Sequence, residues 1–136
     1  MIDHSDDVVA AEGSEREALA AIDAYMDAFN ARDLAGTDTA LHFPHVRIAS
    51  GAVHVREAPG DGMPDLFDRL NAATGWAYSR WDYRRAVQSG PDKVHFAVQF
   101  TRYRADDSVI GHYPSMWIVT LQDGRWGVQA RSSFAP

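Results

Sequence analysis

The chain has 136 residues, 46% of them hydrophobic, and a formal net charge of −6. This length suits one domain with a sizeable core. Cysteine is absent, which excludes disulfides, thiolate metal sites and thiol nucleophiles. The acidic balance argues against a nucleic-acid partner, and no apolar stretch is long enough to span a membrane. The acidic start lacks the positive region of a secretory signal, so we expect a cytoplasmic protein with no membrane partner.

The N-terminal third predicts a tail and two helices. Residues 1–13 are polar and aperiodic, which favours a flexible tail before one domain over 14–136. Ser14 and Glu17 match a capping box for a helix that runs to about Asn30. The apolar stripe of this helix is Ala18, Ile22, Tyr25 and Phe29. Asp33 can cap a short second helix through about Leu41.

A β-hairpin is predicted next. The alternating runs His45–Ala49 and Ala52–Glu57 are separated only by Ser50-Gly51, which indicates a tight turn. The register predicts one core-facing set and one outward set. The core-facing pairs are Ile48 with Val53 and Val46 with Val55, and the outward pairs are Arg47 with His54 and His45 with Arg56. His45 is therefore expected at the surface or at an interface.

The remaining chain predicts a helix and a meander. Asp65 begins a third helix that ends at Gly75. Four longer strands follow, over Trp76–Gln88, Lys93–Arg104, Ile110–Leu121 and Trp126–Phe134. The turn Asp123-Gly124 sets the last register, which pairs Leu121 with Trp126, Val119 with Val128 and Trp117 with Ala130. Helices gathered on one face of an antiparallel sheet make an α+β domain.

The stretch A-Y-M-D-A-F-N-A-R-D-L-A-G on the first two helices and the ending D-G-R-W-G-V carry a family resemblance. Over about residues 15–134 the chain resembles the nuclear transport factor 2-like superfamily, in its SnoaL-like and ketosteroid-isomerase-like branches. The resemblance implies a curved antiparallel sheet, shaped as a cone, wrapped around the long N-terminal helix. It also implies an apolar pocket at the mouth of the cone and a homodimer formed through the outer sheet face.

The ketosteroid isomerase-like pattern implies a tyrosine donor, a carboxylate base and a second acid. Tyr25 falls at the tyrosine position and is the candidate catalytic residue. Ser50 and Trp117 stand at the base and acid positions, and neither can abstract a proton at neutral pH. Two of the three groups are therefore missing, and the sequence leaves open whether the protein is an enzyme.

The histidines predict neither a catalytic dyad nor a metal site. His95 and His112 fall on strand faces opposite the apolar ones, away from the interior. His42 and His45 flank a proline and should diverge, with only Asp38 near them as a third ligand. No metal and no cofactor are predicted.

The expected function is binding of a small apolar molecule in an aromatic-lined pocket. Arg102, at the rim, is expected to meet a ligand carboxylate or phenolate. The alternatives are a dehydratase, cyclase or isomerase that uses Tyr25, and a non-catalytic association domain with a filled core. The predicted pocket residues are the aromatic, hydroxyl and rim side chains of the inward faces, namely Tyr25, Phe29, Ile48, Ser50, Trp81, Tyr83, Phe100, Arg102, Ser115, Trp117, Ser132 and Phe134.

Overall fold

The computed structural model describes residues 7–9 and 13–136. Three helices precede or interrupt the sheet, namely α1 (Ser14–Asn30), α2 (Leu34–Thr39) and α3 (Leu66–Thr74). The strands are β1 (Asp7–Val9), β2 (Leu41–Ala49), β3 (Ala52–Arg56), β4 (Trp76–Ser89), β5 (Lys93–Arg104), β6 (Val109–Gln122) and β7 (Arg125–Ser133). This arrangement confirms the predicted α+β class and the order of its elements. No helix in the described part of the chain is long and apolar enough to cross a membrane.

All seven strands form one curved, unclosed sheet in the order β1-β4-β5-β6-β7-β2-β3. It is mixed rather than purely antiparallel, because β2 pairs in parallel with β7 and β1 in parallel with β4. Register shifts interrupt four of the six strand pairings, and only the β1–β4 and β2–β3 ladders are regular. Such bulges bend a strand and increase its twist, so they help the sheet to wrap around α1.

The core lies between α1 and the concave face of the sheet. Ala18, Ile22 and Tyr25 of α1 are buried there, as the predicted stripe requires. They pack against the inward residues of the sheet, which include Phe96 and Trp117. Strand β5 alternates as predicted, with Val94, Phe96, Val98 and Phe100 buried.

Several local predictions need correction. Residues 7–9, predicted to lie in a flexible tail, form β1 beside Tyr83–Arg85, and residues 1–6 and 10–12 lie outside the described part. The N-cap of α1 is Gly13, and no side chain caps this helix, so the Ser14 capping box is absent. Helix α2 ends at Thr39 and Leu41 already opens β2, because the L-H-F-P segment is extended. Helix α3 ends as predicted, with Gly75 in the left-handed conformation.

The β2–β3 hairpin has the predicted register but the opposite orientation. His45 pairs with Arg56 and Ile48 with Val53, as expected. Yet Ile48 and Val53 are exposed to 50% and 65%, whereas His45 is 1% exposed. The prediction that the valines and Ile48 face the core was therefore wrong. Strand β2 lies beside β7, and its inward-facing side chains contact polar residues of the interior.

Candidate functional site

A cleft opens between the C-terminal half of α1 and the concave face of the sheet. About 50 Å³ of it can be reached by the centre of a water molecule. One part of its lining is apolar or aromatic, namely Tyr25, Met26, Phe29, Phe100, Trp117 and Ala135. The other part is polar or cationic, namely Arg47, Ser79, Arg102, Arg131 and Ser133. No carboxylate is among these lining residues.

The aromatic wall comes mainly from α1 and β6. Tyr25 and Phe29 are one helical turn apart, so both rings face the sheet, with centroids 5.9 Å apart. The Tyr25 ring meets the Trp117 ring edge-on at 5.3 Å. The guanidinium of Arg131 lies over both rings, 4.8 Å from the Tyr25 centroid and 5.4 Å from that of Trp117. These contacts hold a cation against the aromatic wall.

A hydrogen-bonded chain links Arg131 to residues on two sides. Its Nη1 donates to the Tyr25 hydroxyl oxygen at 2.9 Å, and its Nε donates to His45 Nε2 at 3.0 Å. His45 Nδ1 lies 3.0 Å from the Val128 carbonyl oxygen, which can only accept, so Nδ1 carries the imidazole proton. Because Tyr25 oxygen accepts from Arg131, the hydroxyl hydrogen is left to donate, and no described residue accepts it.

His45 is a neutral imidazole in this chain of contacts. Burial, followed by the positive charge of Arg131, lowers the pKa of His45 from 6.5 to about 3. Its single lone pair accepts from Arg131, and its proton is held by Val128. His45 therefore orients Arg131 and cannot act as a general base while these contacts persist.

Arg47 and Arg102 reach the cleft from β2 and β5. Arg47 Nη2 donates to the Ala135 carbonyl oxygen at 3.3 Å, and Arg102 Nη1 donates to the Pro136 backbone oxygen at 3.5 Å. Arg102 is only 8% exposed. Among the residues that the structure describes, neither arginine has a side-chain carboxylate within ion-pair distance.

The electrostatic environment of these arginines is unfavourable to positive charge. Burial lowers the pKa of Arg47, and the nearby charges of Arg131 and Arg102 lower it further. Burial likewise lowers the pKa of Arg102, and Arg131 adds repulsion. The three cations therefore share one cleft and repel one another, and no acidic side chain of the described residues lines this cleft.

Two N–H groups of the lining residues are buried without an acceptor in the described part of the chain. They are Arg102 Nε and Trp117 Nε1. A buried donor that makes no hydrogen bond costs roughly 1–3 kcal/mol. Both side chains belong to residues that line the cleft.

The predicted pocket residues divide into three groups. Tyr25, Phe29, Phe100, Arg102 and Trp117 line the cleft. Ser115 and Trp81 lie next to it. Ser115 is buried and donates to Ser133 Oγ at 2.8 Å, and Trp81 packs in the core 5.3 Å from Trp117.

The third group lies outside the cleft. Ile48 and Phe134 are 50% and 80% exposed. Ser50 occupies the hairpin turn with a φ of 54°, so it does not mark an interior catalytic position. Tyr83 lies under Arg85, 4.3 Å from its guanidinium carbon, and Ser132 is exposed beside Met116. These five predictions were wrong about position.

Bulges explain part of the error. Trp117 was predicted opposite Ala130, but a register shift between Ile118 and Val119 places it opposite Arg131. The extra residue on β7 turns Arg131 to the inner face, where regular alternation had placed Ala130. A second shift, between Trp81 and Tyr83, turns Tyr83 outward.

The cleft residues that sequence reasoning missed are Met26, Arg47, Ser79, Arg131, Ser133 and Ala135. One signal for them was present in the sequence. Arg47, Arg102 and Arg131 each lie inside a strand and have no acidic residue within three positions. Arginines at such positions are candidates for an interior anion site, because an arginine is almost never fully buried unless it is paired.

The histidines of the described chain do not converge. His42 is buried, with Nε2 2.8 Å from the Arg125 carbonyl oxygen and Nδ1 3.0 Å from Arg125 Nη2. His95 pairs with Gln88, and His112 contacts Thr101 on the outer side of the sheet. The prediction that His45 lies at the surface was wrong. Within the described ranges, no group of three or more histidine or acidic side chains is placed to hold a metal ion.

The fold has relatives among known proteins. A family model described as NTF2-like protein (DUF6841) matches residues 14–133. The chain belongs to this family. Membership confirms the resemblance stated from the two quoted motifs, and it covers nearly the whole predicted domain. No curated protein matches the chain significantly.

Solved structures of NTF2-like proteins share the fold at low identity. A protein of unknown function with a cystatin-like fold from Nostoc punctiforme has a TM-score of 0.72 and 11% identity, covering 94% of this chain and 95% of its own. A ketosteroid isomerase-like protein from Erwinia carotovora atroseptica has a TM-score of 0.64 and 16% identity, covering 93% of this chain and 100% of its own. An NTF2-like protein of unknown function from Pseudomonas putida has a TM-score of 0.68 and 15% identity, covering 93% of this chain and 89% of its own. At such identities the likeness shows the fold alone.

Proposed function

We propose that the protein binds a small molecule with an apolar or aromatic body in the cleft beside α1. The observation that supports this most is the pair of buried donors, Arg102 Nε and Trp117 Nε1, on residues that line the same cleft as the aromatic side chains. Binding sites for small molecules combine an apolar lining with a few converging polar groups. A bound acceptor would satisfy donors that the described residues leave without a partner.

The size of the cleft limits the ligand. Its 50 Å³ of water-reachable space corresponds to about three to five water molecules. A body the size of one aromatic ring fits this space, whereas a fused-ring system would require the walls to separate. The proposed ligand is therefore smaller than a steroid.

A blocking substitution tests this proposal. Ala135 is 2% exposed and lines the cleft, so Ala135→Trp would place an indole inside it. Benzyl alcohol, a neutral probe, should raise the melting temperature of the unsubstituted protein and leave that of Ala135→Trp unchanged. Ala105→Trp, in the exposed β5–β6 turn, is the matched control and should respond as the parent does. An equal response in all three proteins would place the binding elsewhere.

A second candidate is an enzyme that polarises a carbonyl or hydroxyl of its substrate with Tyr25. The hydroxyl of Tyr25 accepts from Arg131 and keeps its own hydrogen for a ligand. Such a donor can stabilise a developing oxyanion. The cleft lining has no carboxylate, and His45 is fully engaged, so these residues would support polarisation rather than proton abstraction. With any substrate that is turned over, Tyr25→Phe should lower kcat with little change in KM; an unchanged kcat removes Tyr25 from the chemistry.

We also propose that the protein is a homodimer formed through the outer sheet face. Ile48, Val53, Val55 and Met116 are all at least 39% exposed. The register places Val53, Ile48, Ser132 and Met116 in one row across four strands. An apolar row of this kind is typical of an interface. This surface would also serve the alternative of a non-catalytic association domain.

A further inference from the structure

We propose that the ligand of the cleft carries an anionic group, which Arg47, Arg102 and Arg131 bind together at one end of the cleft. This inference rests on the proposed function and adds the chemical class of the ligand to it. The anionic group is a carboxylate or a phosphoryl group attached to the apolar body.

The three guanidiniums converge because of the strand arrangement. Arg47 and Arg131 are direct neighbours across the parallel β2–β7 pair. Arg47 and Arg102 donate to the backbone oxygens of consecutive residues, Ala135 and Pro136. Arg131 is held in place by Tyr25 and His45. Three strands, which are not consecutive in the sequence, thus deliver one cation each to the same end of the cleft.

The missing counter-charge distinguishes this cluster from the acid-paired arginines of the described chain. Arg56 pairs with Asp38 and Asp61, and Arg69 pairs with Asp65. Even the buried Arg84 contacts Asp23. No acidic residue in the described part of the chain lines the cleft that holds three cations. Buried charges are normally paired, so an anion from outside the chain is the expected partner.

The present partners of Arg47 and Arg102 are weak substitutes for that anion. Their hydrogen bonds to Ala135 and Pro136 are 3.3 and 3.5 Å long. A guanidinium binds a carboxylate at about 2.7–2.9 Å, and such charge-assisted bonds are roughly twice as strong. An entering anion would therefore displace the two backbone oxygens, and the segment after β7 would shift as the ligand binds.

The aromatic wall sets the orientation of the ligand. Arg131 is stacked on Tyr25 and Trp117, so an anion on Arg131 brings its attached body against the same rings. Trp117 lines the cleft and its Nε1 has no described acceptor, so its indole signal would report on the ligand. The Tyr25 hydroxyl can donate an additional hydrogen bond to the anion.

Titration followed by the tryptophan indole signals tests the inference. The chain has four tryptophans, so a ¹⁵N-labelled protein gives four indole N–H signals, and Trp117→Phe identifies the signal of Trp117. Benzoate and phenyl phosphate are the anionic probes, and benzamide is the neutral probe of the same shape. We expect an anionic probe to shift the Trp117 signal with an affinity at least about tenfold higher than that of benzamide. The tighter of the two anions identifies the group as carboxylate or phosphoryl.

Two variants connect the affinity to the arginines. Arg102→Met should lower the affinity for the anionic probe at least about tenfold and change the affinity for benzamide by no more than about twofold. Arg69→Met removes the same charge from an exposed position on α3 and should change neither affinity. The circular dichroism spectrum of each variant checks that it is folded.

The outcomes separate this inference from the proposed function. Equal affinities for benzoate, phenyl phosphate and benzamide, all unaffected by Arg102→Met, would overturn the anion site and leave small-molecule binding intact. A Trp117 signal that no probe shifts would overturn both. An anionic preference that Arg69→Met abolishes as much as Arg102→Met would reduce the effect to the overall charge and also overturn the anion site.

Discussion

His45 shows at the residue scale how burial decides the chemistry of a side chain. Its imidazole lies between the Val128 carbonyl and Arg131, and its pKa is lowered to about 3. The unfolded chain takes up a proton on this imidazole below about pH 6.5, whereas the folded chain does so only near pH 3. The stabilisation is therefore complete above pH 6.5 and is lost as the pH falls through this window.

This linkage predicts that His45→Gln flattens the acid dependence of stability. Between pH 7 and pH 5, titration of His45 should lower the free energy of unfolding by about 2 kcal/mol. Urea unfolding at both pH values should show this loss in the parent and not in His45→Gln. His54→Gln, at an exposed position on β3, should retain the slope of the parent. If all three proteins have the same slope, His45 is not buried in its neutral form.

A second prediction at the residue scale concerns the role of Arg102 in the stability of the ligand-free protein. Burial and repulsion from Arg131 make its charge unfavourable in the free protein. Replacing a buried, uncompensated ion by an apolar side chain often stabilises a fold, so Arg102→Met should raise the free energy of unfolding by about 1 kcal/mol or more. Arg69→Met should change it by less than about 0.5 kcal/mol. A destabilised Arg102→Met would mean that this arginine has a structural role.

At the scale of elements, the β2–β3 hairpin separates what sequence can predict from what it cannot. The two-residue turn determines the register, so the pairing of Ile48 with Val53 was predictable. The face was not, because it depends on the register of β2 against β7, which is distant in the sequence, and the apolar residues here point outward. In β7 the bulge near Val128 has no strong sequence signal, so Arg131 was assigned to the wrong face.

The candidate site was predictable in proportion to the regularity of its elements. Helix α1 is regular, so Tyr25 and Phe29 were placed correctly, and the alternation of β5 placed Phe100 and Arg102. Residues after a bulge or within the hairpin were misplaced. The apolar half of the cleft was therefore predictable, and two of its three arginines were not.

The loop between β3 and α3 is held by a charged clamp, which is the ion-pair cluster of Arg56, Asp38 and Asp61. We expect the stability of this loop to depend on pH and on substitution of these residues. Arg56 bonds Asp38 and Asp61 at 2.8 Å each, and Asp38 also accepts from the Gly60 N–H. Asp38 is partly desolvated, but its bonds to Arg56 and Gly60 outweigh this and lower its pKa. Its contribution is thus present above about pH 3.8 and is lost as the pH falls below that value.

Asp38→Asn should release this clamp. We expect a loss of about 1–2 kcal/mol in the free energy of unfolding at pH 7, together with faster amide exchange at Gly60. Asp27→Asn, on the exposed face of α1, is the matched control and should affect neither. Unchanged exchange at Gly60 in Asp38→Asn would show that other contacts hold the loop.

At the scale of the whole molecule, the two faces of the sheet have different roles. The concave face packs on α1 and forms the cleft, whereas the outer face presents Ile48, Val53, Val55 and Met116. If this outer face joins two copies, sedimentation at micromolar concentration should give twice the 15.1 kDa mass of the chain. The double variant with Val53→Lys and Ile48→Lys should give the single-chain mass, because dimerisation would bury a lysine charge at each of these positions. Val109→Lys, at an exposed position elsewhere on β6, is the control and should keep the mass of the parent. A mass of 15.1 kDa for the parent protein would contradict the dimer.

The central claim is that the cleft binds an anion attached to an apolar body. A crystal structure of the protein grown with 4-bromobenzoate tests it most directly, because the anomalous signal of bromine locates one end of the probe and the density of the carboxylate locates the other. We predict the carboxylate within hydrogen-bond distance of Arg102 and Arg131, the ring against Tyr25 and Trp117, and the Ala135 and Pro136 oxygens moved off their arginines. A probe found only on the outer surface, with Arg47 and Arg102 still on the two backbone oxygens, would contradict the account.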